Sequence, residues 1–329
     1  MMRMTVLASG SKGNSTVIAS SKTRVLVDAG LSCRELLRRM AVAGEDPAKL
    51  DAILITHEHQ DHIAGLTVLA RRLKIPVFFT EPTHRAWVRM LTPRTTMTYA
   101  KWLDQMQREK EARTTVAADS AAHEVAAERD SAALVSGEAD LEMEEGCDPE
   151  VDEAAPQRSD PAQLPAVEYF HAGTHFSIGD IAITPFTIPH DAADPCGFVF
   201  EAEGIRMALA TDLGYMPPNV KAALKRIDVL LLESNHDLEM LRDGPYPWSV
   251  KQRVLSRVGH LSNEATAEFL EKDYDGGASW IVLGHLSESN NAPELALLSA
   301  EQALRGHPTL LGNRILLAGQ TAPMAPIFL

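Results

Sequence analysis

Short apolar runs broken by clusters of Gly, Ser, Pro and Asp recur along the chain, and only in places does the apolar spacing lengthen to that of a helix. Residues 5–8, 16–19 and 24–27 alternate as strands, the first two separated by the turn-rich string Ser9-Gly10-Ser11-Lys12-Gly13-Asn14-Ser15. Over 32–43 the period changes. Leu36, Leu37 and Met40 recur at helical spacing, Ser32 stands where an N-cap belongs and Gly44 where a helix stops. A buried strand over 51–55 follows, then a helix over 62–73. Beyond the middle of the chain, 181–188, 197–201 and 205–211 read as strands with tight connections. The chain then alternates a Pro-started helix over 218–226, a strand over 229–232, a helix over 262–270 and a strand over 280–283. Strand-rich halves with interposed helices predict two packed sheets covered by helices on their outer faces, with no repeat of solenoid period.

One stretch departs from this pattern. From Leu103 through Glu168 there is no Phe, Trp or Tyr, and Ala and Glu dominate, a composition that cannot bury enough apolar surface to fold alone. Between Asp104 and Asp160, 17 acidic residues stand against 5 basic ones, so −12 of the formal net charge of −14 sits in this tract. The expectation is a single domain over 1–329 that carries an acidic, disordered insertion over 104–165, dispensable for function. A net charge of −14 would by itself count against a polyanionic substrate, but its confinement leaves a nearly neutral body. Arg34, Arg38 and Arg39 on the first helix, and Arg71, Arg72 and Lys74 after the second, are the candidate nucleic-acid contacts, though they read first as solvated helix faces.

The 329 residues, 45% of them apolar, suffice for a full core. No apolar run approaches the roughly 18 residues of a membrane span. Met1-Met2-Arg3-Met4 runs directly into a strand without the features of a signal peptide, so a cytoplasmic protein with no membrane partner is expected. Cys33, Cys147 and Cys196 form no Cys-x-x-Cys pair and read as reduced thiols. The sequence carries no signal for an oligomeric state.

Chemistry concentrates where the strand over 51–55 stops. Thr56-His57-Glu58-His59-Gln60-Asp61-His62 places three imidazoles and a carboxylate at fixed offsets, the donor mixture that borderline divalent metals favour. These residues suit neither a core, where each needs a partner, nor a random surface loop. Further donors follow other apolar strands: Asp28 in Val27-Asp28-Ala29-Gly30, His190 in Pro189-His190-Asp191, Asp212 in Ala210-Thr211-Asp212 and His285 in Gly284-His285-Leu286. Each alone is a weak signal, and their shared placement strengthens it. The string from Ser9 to Ser15 offers backbone N–H groups, hydroxyls and the Lys12 ammonium, suited to holding a phosphate, to bracing ligands or to forming a plain glycine hairpin; Ser11, Lys12 and Asn14 are its candidate substrate contacts. It is not a P-loop.

The order of HxHxDH, a later His, an Asp and a final His resembles the metallo-β-lactamase superfamily. More specifically, LASGSKGNST from Leu7, LVDAGLSCREL from Leu26, IPHDAADPCGF from Ile188, LLLESNHD from Leu230, GPYPWSVKQRVLS from Gly244 and GHLSN from Gly259 are similar to the YycJ or WalJ-like group. The likeness spans the chain apart from the acidic tract, with Gln60 where that group usually has Ser. It implies an α/β, four-layer αββα sandwich and two divalent metal ions, Zn, Mn or Fe. His57, His59 and His190 would hold one ion, Asp61, His62 and His285 the other, with Asp212 bridging and Asp28 orienting ligands from behind. Glu233 and His260 resemble the proton-donating pair of tRNase Z-type nucleases, and His236 is a further candidate that would orient Glu233 or approach a phosphate.

The activity implied is metal-dependent phosphodiester hydrolysis by a nuclease, an exonuclease with DNA favoured over RNA. A hydroxide bridging the two ions attacks phosphorus, and His260 with Glu233 protonates the departing sugar oxygen. Asp61, Glu233 and His260 are thus the catalytic candidates. The rival enzymatic reading is a small-molecule thioester or lactone hydrolase of glyoxalase-II type, which does not need Glu233 and His260. A metal-stabilised binding protein without turnover is disfavoured by the full ligand set, and the acidic tract leaves no place for a β-CASP domain.

Overall fold

Strands made of consecutive apolar residues need cover on both faces, and two packed sheets with helices outside supply it. The computed structural model describes residues 1–92, 103–104, 106–108, 162–305 and 312–329. One sheet runs, edge to edge, β14 (Ile327–Phe328), β1 (Arg3–Ala8), β2 (Ser15–Ala19), β3 (Arg24–Val27), β4 (Ala52–Leu54), β5 (Val77–Phe79) and β6 (Val167–Tyr169). The other runs β13 (Arg314–Leu317), β12 (Trp280–Gly284), β11 (Val229–Glu233), β10 (Ile205–Ala210), β9 (Cys196–Ala202), β8 (Ile181–Thr187) and β7 (Phe176–Ile178). Both sheets have antiparallel pairings on one side and parallel ones on the other: β3, β4, β5 and β6 are parallel in the first, β10, β11, β12 and β13 in the second.

The described helices are α1 (Cys33–Val42), α2 (Gln60–Ile63), α3 (Leu66–Leu73), α4 (Glu81–Leu91), α5 (Pro218–Ala223), α6 (Leu238–Asp243), α7 (Trp248–Val254), α8 (Asn263–Lys272) and α9 (Pro293–Leu304). Alternation along the strands sorts side chains between layers. On β11, Val229 and Leu231 enter the core between the sheets with Met4, Val6, Val27, Phe198 and Phe200, whereas Leu230 and Leu232 join Val220, Phe269 and Ala300 of the helices. On the other outer face Leu7, Val17, Leu26 and Ile53 pack with Leu36, Met40, Leu69 and Trp87. The four layers αββα follow directly. No helix among the described residues is long and apolar enough to cross a membrane.

Several local expectations meet the structure in detail. The Ser32 hydroxyl accepts from the Glu35 N–H, and Ser262 caps α8 through the Ala265 N–H. The helix expected over 62–73 is instead two, α2 and α3. At Gly65 a Cβ would lie 2.1 Å from the Leu31 carbonyl oxygen, so the chain passes beneath the loop after β3 at a point where a continuous, side-chain-bearing helix does not fit. The helix expected to run to 226 ends at Ala223.

Residues 1–92 and 160–329 form one compact unit and 93–159 a second, of which only 103–104 and 106–108 are described. Most of the expected insertion over 104–165, with Cys147, therefore lies outside the described residues. Of the basic residues of the first helix, the buried Arg39 is committed to the fold, bonding Glu35 and the carbonyls of Leu7 and Gln320, Arg38 forks onto Glu35 within the helix, and Arg34 is exposed. Arg71 donates to the Gln163 carbonyl.

Candidate metal centre

Donors from six places converge as the chain leaves strands: Asp28 after β3, residues 57–62 after β4, His190 after β8, Asp212 after β10, Glu233 at the end of β11 and His285 after β12. Asp28, Asp212 and His285 have φ values of 60°, 64° and 55°, the left-handed region that side-chain-bearing residues rarely occupy. Each such residue costs about 1 kcal/mol or more. Three of the six described non-glycine residues in this region are thus donors at the centre, beside Lys74, Glu203 and Arg226 elsewhere.

His57, His59 and His190 each offer an atom within 4.8 Å of the others, and the same holds for Asp61, His62 and His285, for His57, His62 and Asp212, and for Asp212, Glu233, His260 and His285. Asp212 links these groups, with its carboxylate 3.4 Å from His62 Nε2, 3.5 Å from His285 Nε2 and 4.0 Å from His190 Nε2. His57 Nε2, His285 Nε2 and Asp212 Oδ2 are buried without a hydrogen-bond partner. Buried polar atoms rarely go unpaired, and imidazole nitrogens converging with carboxylate oxygens fit a borderline divalent cation.

Five of the imidazoles are engaged through Nδ1, whereas His59 brings its own Nδ1 to 3.2 Å from His190 Nε2. Asp28 Oδ2 accepts from His62 Nδ1 at 2.8 Å and from the Thr56 hydroxyl at 2.9 Å, and that hydroxyl lies 3.0 Å from His57 Nδ1. His190 Nδ1 is 3.2 Å from the Gly259 carbonyl oxygen. Glu233 Oε1 takes both His285 Nδ1, at 2.9 Å, and His260 Nδ1, at 2.8 Å. An ionised carboxylate or a carbonyl can only accept, so His62, His190, His260 and His285 each carry a proton on Nδ1, as does His57 because the Thr56 hydroxyl already donates to Asp28; with a cation bound, Nε2 of His57, His62, His190 and His285 would be the ligating atom.

Charge follows from the same contacts. Burial, aided by His62, holds His57 well below the usual imidazole range, in the neutral form that ligates. Burial opposes charge on His62 and His285, but Asp212 and neighbouring carboxylates outweigh it and hold both well above that range. A cation would satisfy the same carboxylates. Burial opposes charge on Glu233 too, yet His260 and His285 keep it ionised down to about 2.

The loop from Ser9 to Ser15 braces this arrangement through Asn14, whose Nδ2 lies 3.1 Å from Asp61 Oδ2 and 3.0 Å from His62 Nε2. Asn14 N–H also donates to the Asp61 carbonyl at 2.7 Å, and Ser9 Oγ accepts from His285 N–H at 2.8 Å. Ser11 and Lys12 are exposed, and Lys12 pairs with Glu288. Gln60 is exposed on α2, outside the donor groups. Cys196 is likewise outside them, and burial pushes its thiol up to about 12.

His236 is 1% exposed, in none of the donor groups, and neither ring nitrogen has a partner. Burial holds it down at about 4. Between pH 6.5 and about 4 the unfolded chain therefore binds a proton that the folded chain does not, and stability falls as pH drops through this window. The component amounts to at most about 3 kcal/mol. His236→Phe is expected to shrink the loss of stability between pH 7.5 and 5, measured by urea unfolding; an identical loss in the variant rejects the assignment.

Three residues outside the sequence-derived set also meet the centre. Glu58 Oε1 accepts from Ala193 N–H at 2.9 Å, clipping the His190 loop to the HxHxDH segment. Asp191 Oδ1 lies 3.5 Å from His190 Nε2 and 3.9 Å from His59 Nε2, and its carboxylate receives the Arg253 fork at 2.5 and 3.1 Å. The position of Asp191 beside His190 was a usable signal; nothing local ties Arg253 to it.

Residues 8–112 match the metallo-beta-lactamase superfamily, and residues 133–285 match a beta-lactamase superfamily domain. Over 294 residues the chain is 33% identical to exodeoxyribonuclease WalJ of Streptococcus pneumoniae, across 89% of this chain and 85% of that protein. The chain belongs to the WalJ/YycJ-like group of the metallo-β-lactamase superfamily. Exodeoxyribonuclease YycJ of Bacillus anthracis is 31% identical over 305 residues, 92% of this chain and 89% of that one. The metallo-beta-lactamase fold protein YhfI from Bacillus subtilis superposes with a TM-score of 0.57 at 13% identity, over 98% of this chain and 99% of the other, a likeness of fold. Membership of the superfamily implies divalent metal ions, and the His and Asp groups described above are the candidate ligands of this WalJ/YycJ-like chain.

Proposed function

We propose that this protein is a metal-dependent nuclease, a DNA exonuclease, with two divalent ions at the strand ends. His57, His59 and His190 hold one, Asp61, His62 and His285 the other, and Asp212 stands between them; Zn, Mn and Fe all suit this donor set. Divalent ions held by these residues would supply Lewis acidity for a water nucleophile and positive charge opposite the phosphoryl oxygens.

The observation that carries the reading is the Glu233 carboxylate shared by His285 and His260. Glu233 is fully buried, and its Oε2 accepts from Leu213 N–H at 2.6 Å and Leu261 N–H at 3.2 Å, so it cannot swing away. It orients a ligand candidate with one contact and fixes His260, which is 21% exposed, with the other. His260 Nε2 is then the nitrogen available to protonate a departing sugar oxygen. A thioester or lactone hydrolase has no need of this arrangement. The relatives named as exodeoxyribonucleases favour DNA as substrate, and a cytoplasmic location is part of the same proposal.

The test is hydrolysis of end-labelled single- and double-stranded DNA and RNA by the metal-loaded protein. Metal-dependent removal of nucleotides from a DNA end is the expected result. His260→Ala is expected to lower kcat by roughly 10²- to 10³-fold while retaining its metal. Turnover of thioesters or lactones without cleavage of any nucleic acid would replace this reading with the rival one, and an unchanged kcat in His260→Ala would remove the proton donor from the mechanism.

A further inference from the structure

The Asp191–Arg253 pair has no evident role in holding the fold. Arg253 is 61% exposed, and exposed ion pairs contribute only ~0–1 kcal/mol to stability. What the pair does fix is position. Asp191 follows His190 and lies within 3.9 Å of both His190 and His59 Nε2, so the guanidinium is tied to the edge of the metal centre. The segment bearing Arg253 is fastened to the same loops: Asp191 N–H donates to the Val258 carbonyl at 3.1 Å, His190 Nδ1 meets the Gly259 carbonyl at 3.2 Å, and a Cβ on Gly214 would lie 2.2 Å from the Arg257 carbonyl oxygen.

Arg253 uses Nε and Nη2 on Asp191. A guanidinium has five N–H donors in a planar fork, so Nη1 and the second Nη2 hydrogen remain for another acceptor. Arg38 and Lys12 also pair with carboxylates, Glu35 and Glu288, but Asp191 is the one of the three that lies within 4 Å of proposed ligand residues, and Arg39 is buried. From this we infer that Arg253, positioned by Asp191, binds a backbone phosphate of the substrate strand at the lip of the metal centre. Because the side chain is already held, less conformational freedom is lost when the phosphate arrives. The substrate class is a polyanionic strand, and the inference rests on the nuclease reading above.

The test measures binding as well as turnover, using wild type, Arg253→Ala and Arg253→Lys with their metal loaded. A fluorescent single-stranded phosphorothioate oligodeoxynucleotide, which resists hydrolysis, is titrated over a range of salt concentrations. Arg253→Ala is expected to raise Kd about tenfold and to reduce the slope of log K against log salt by about 0.7, the loss of one phosphate contact on a single strand. Arg253→Lys should restore the slope but only part of the affinity, because an ammonium lacks the fork. In turnover of ordinary DNA the loss should fall on KM more than on kcat, with metal content unchanged. A Kd and slope equal to wild type, or a loss of affinity that merely tracks loss of metal, overturns the inference while leaving a nucleolytic wild type intact. Wild-type protein that neither binds nor cleaves DNA overturns the nuclease reading and this inference together.

Discussion

Asp212→Asn is expected to lower metal-dependent kcat by on the order of 10³-fold or more and to cut metal content sharply, as transition-state charge stabilisation and its cations are lost together. Asp212 is the carboxylate that links the donor groups, being 3.4 Å from His62 Nε2 and 3.5 Å from His285 Nε2. Burial disfavours its charge, yet His285 and His62 hold it ionised. Substitution with asparagine keeps the shape and removes the charge. It also suits the backbone, since Asn is among the residues that tolerate a φ of 64°. The fold should persist, but unfolding in chelator should shift to lower denaturant, because metal-free His62 and His285 lose the carboxylate that favours their charge. Metal content by elemental analysis and kcat on the same sample decide the matter; a variant that keeps its metal and its turnover would show that Asp212 is not a ligand.

Gly30→Ala tests how the centre is braced. A Cβ at Gly30 would lie 1.6 Å from the Asp61 carbonyl oxygen and 2.6 Å from the Asn14 nitrogen, both backbone atoms that no side-chain rotation can clear. Gly30 N–H donates to the Asn14 carbonyl, Asn14 N–H to the Asp61 carbonyl and Ala29 N–H to the His62 carbonyl, so a displaced Gly30 displaces two proposed ligands. We expect a destabilisation of about 3–5 kcal/mol and metal affinity weakened by about 10–100-fold, as for loss of other groups that position ligands. Gly44→Ala provides the contrast. Nothing lies within 4 Å of its Cβ, and only its φ of 75° is at issue, so the cost should be about 1–2 kcal/mol with metal affinity unaffected. Urea unfolding and metal titration separate the two effects; Gly30→Ala within 1 kcal/mol of wild type would show that the loop yields.

The helix breaks and ligand braces mark where the sequence stops being informative. Leu230, Leu231 and Leu232 reveal a doubly covered strand because every position must be buried, and Ser32 and Ser262 reveal helix starts because a cap acts within its own turn. Gly65 gives no comparable signal. The carbonyl that forbids it a side chain belongs to Leu31, on another segment.

What the sequence determined by itself is local: continuous apolar strands, capped helices, and polar donors placed where those strands end, from which two sheets and a metal-suited motif follow. Only the tertiary structure decided that Asn14 braces Asp61 and His62, that Glu233 serves both His260 and His285, that Arg253 reaches Asp191 across 62 positions, and that His236 is buried without a partner. Periodicity and capping are set by neighbours a few residues away, whereas these contacts depend on where strands distant in sequence end once the sheets have packed.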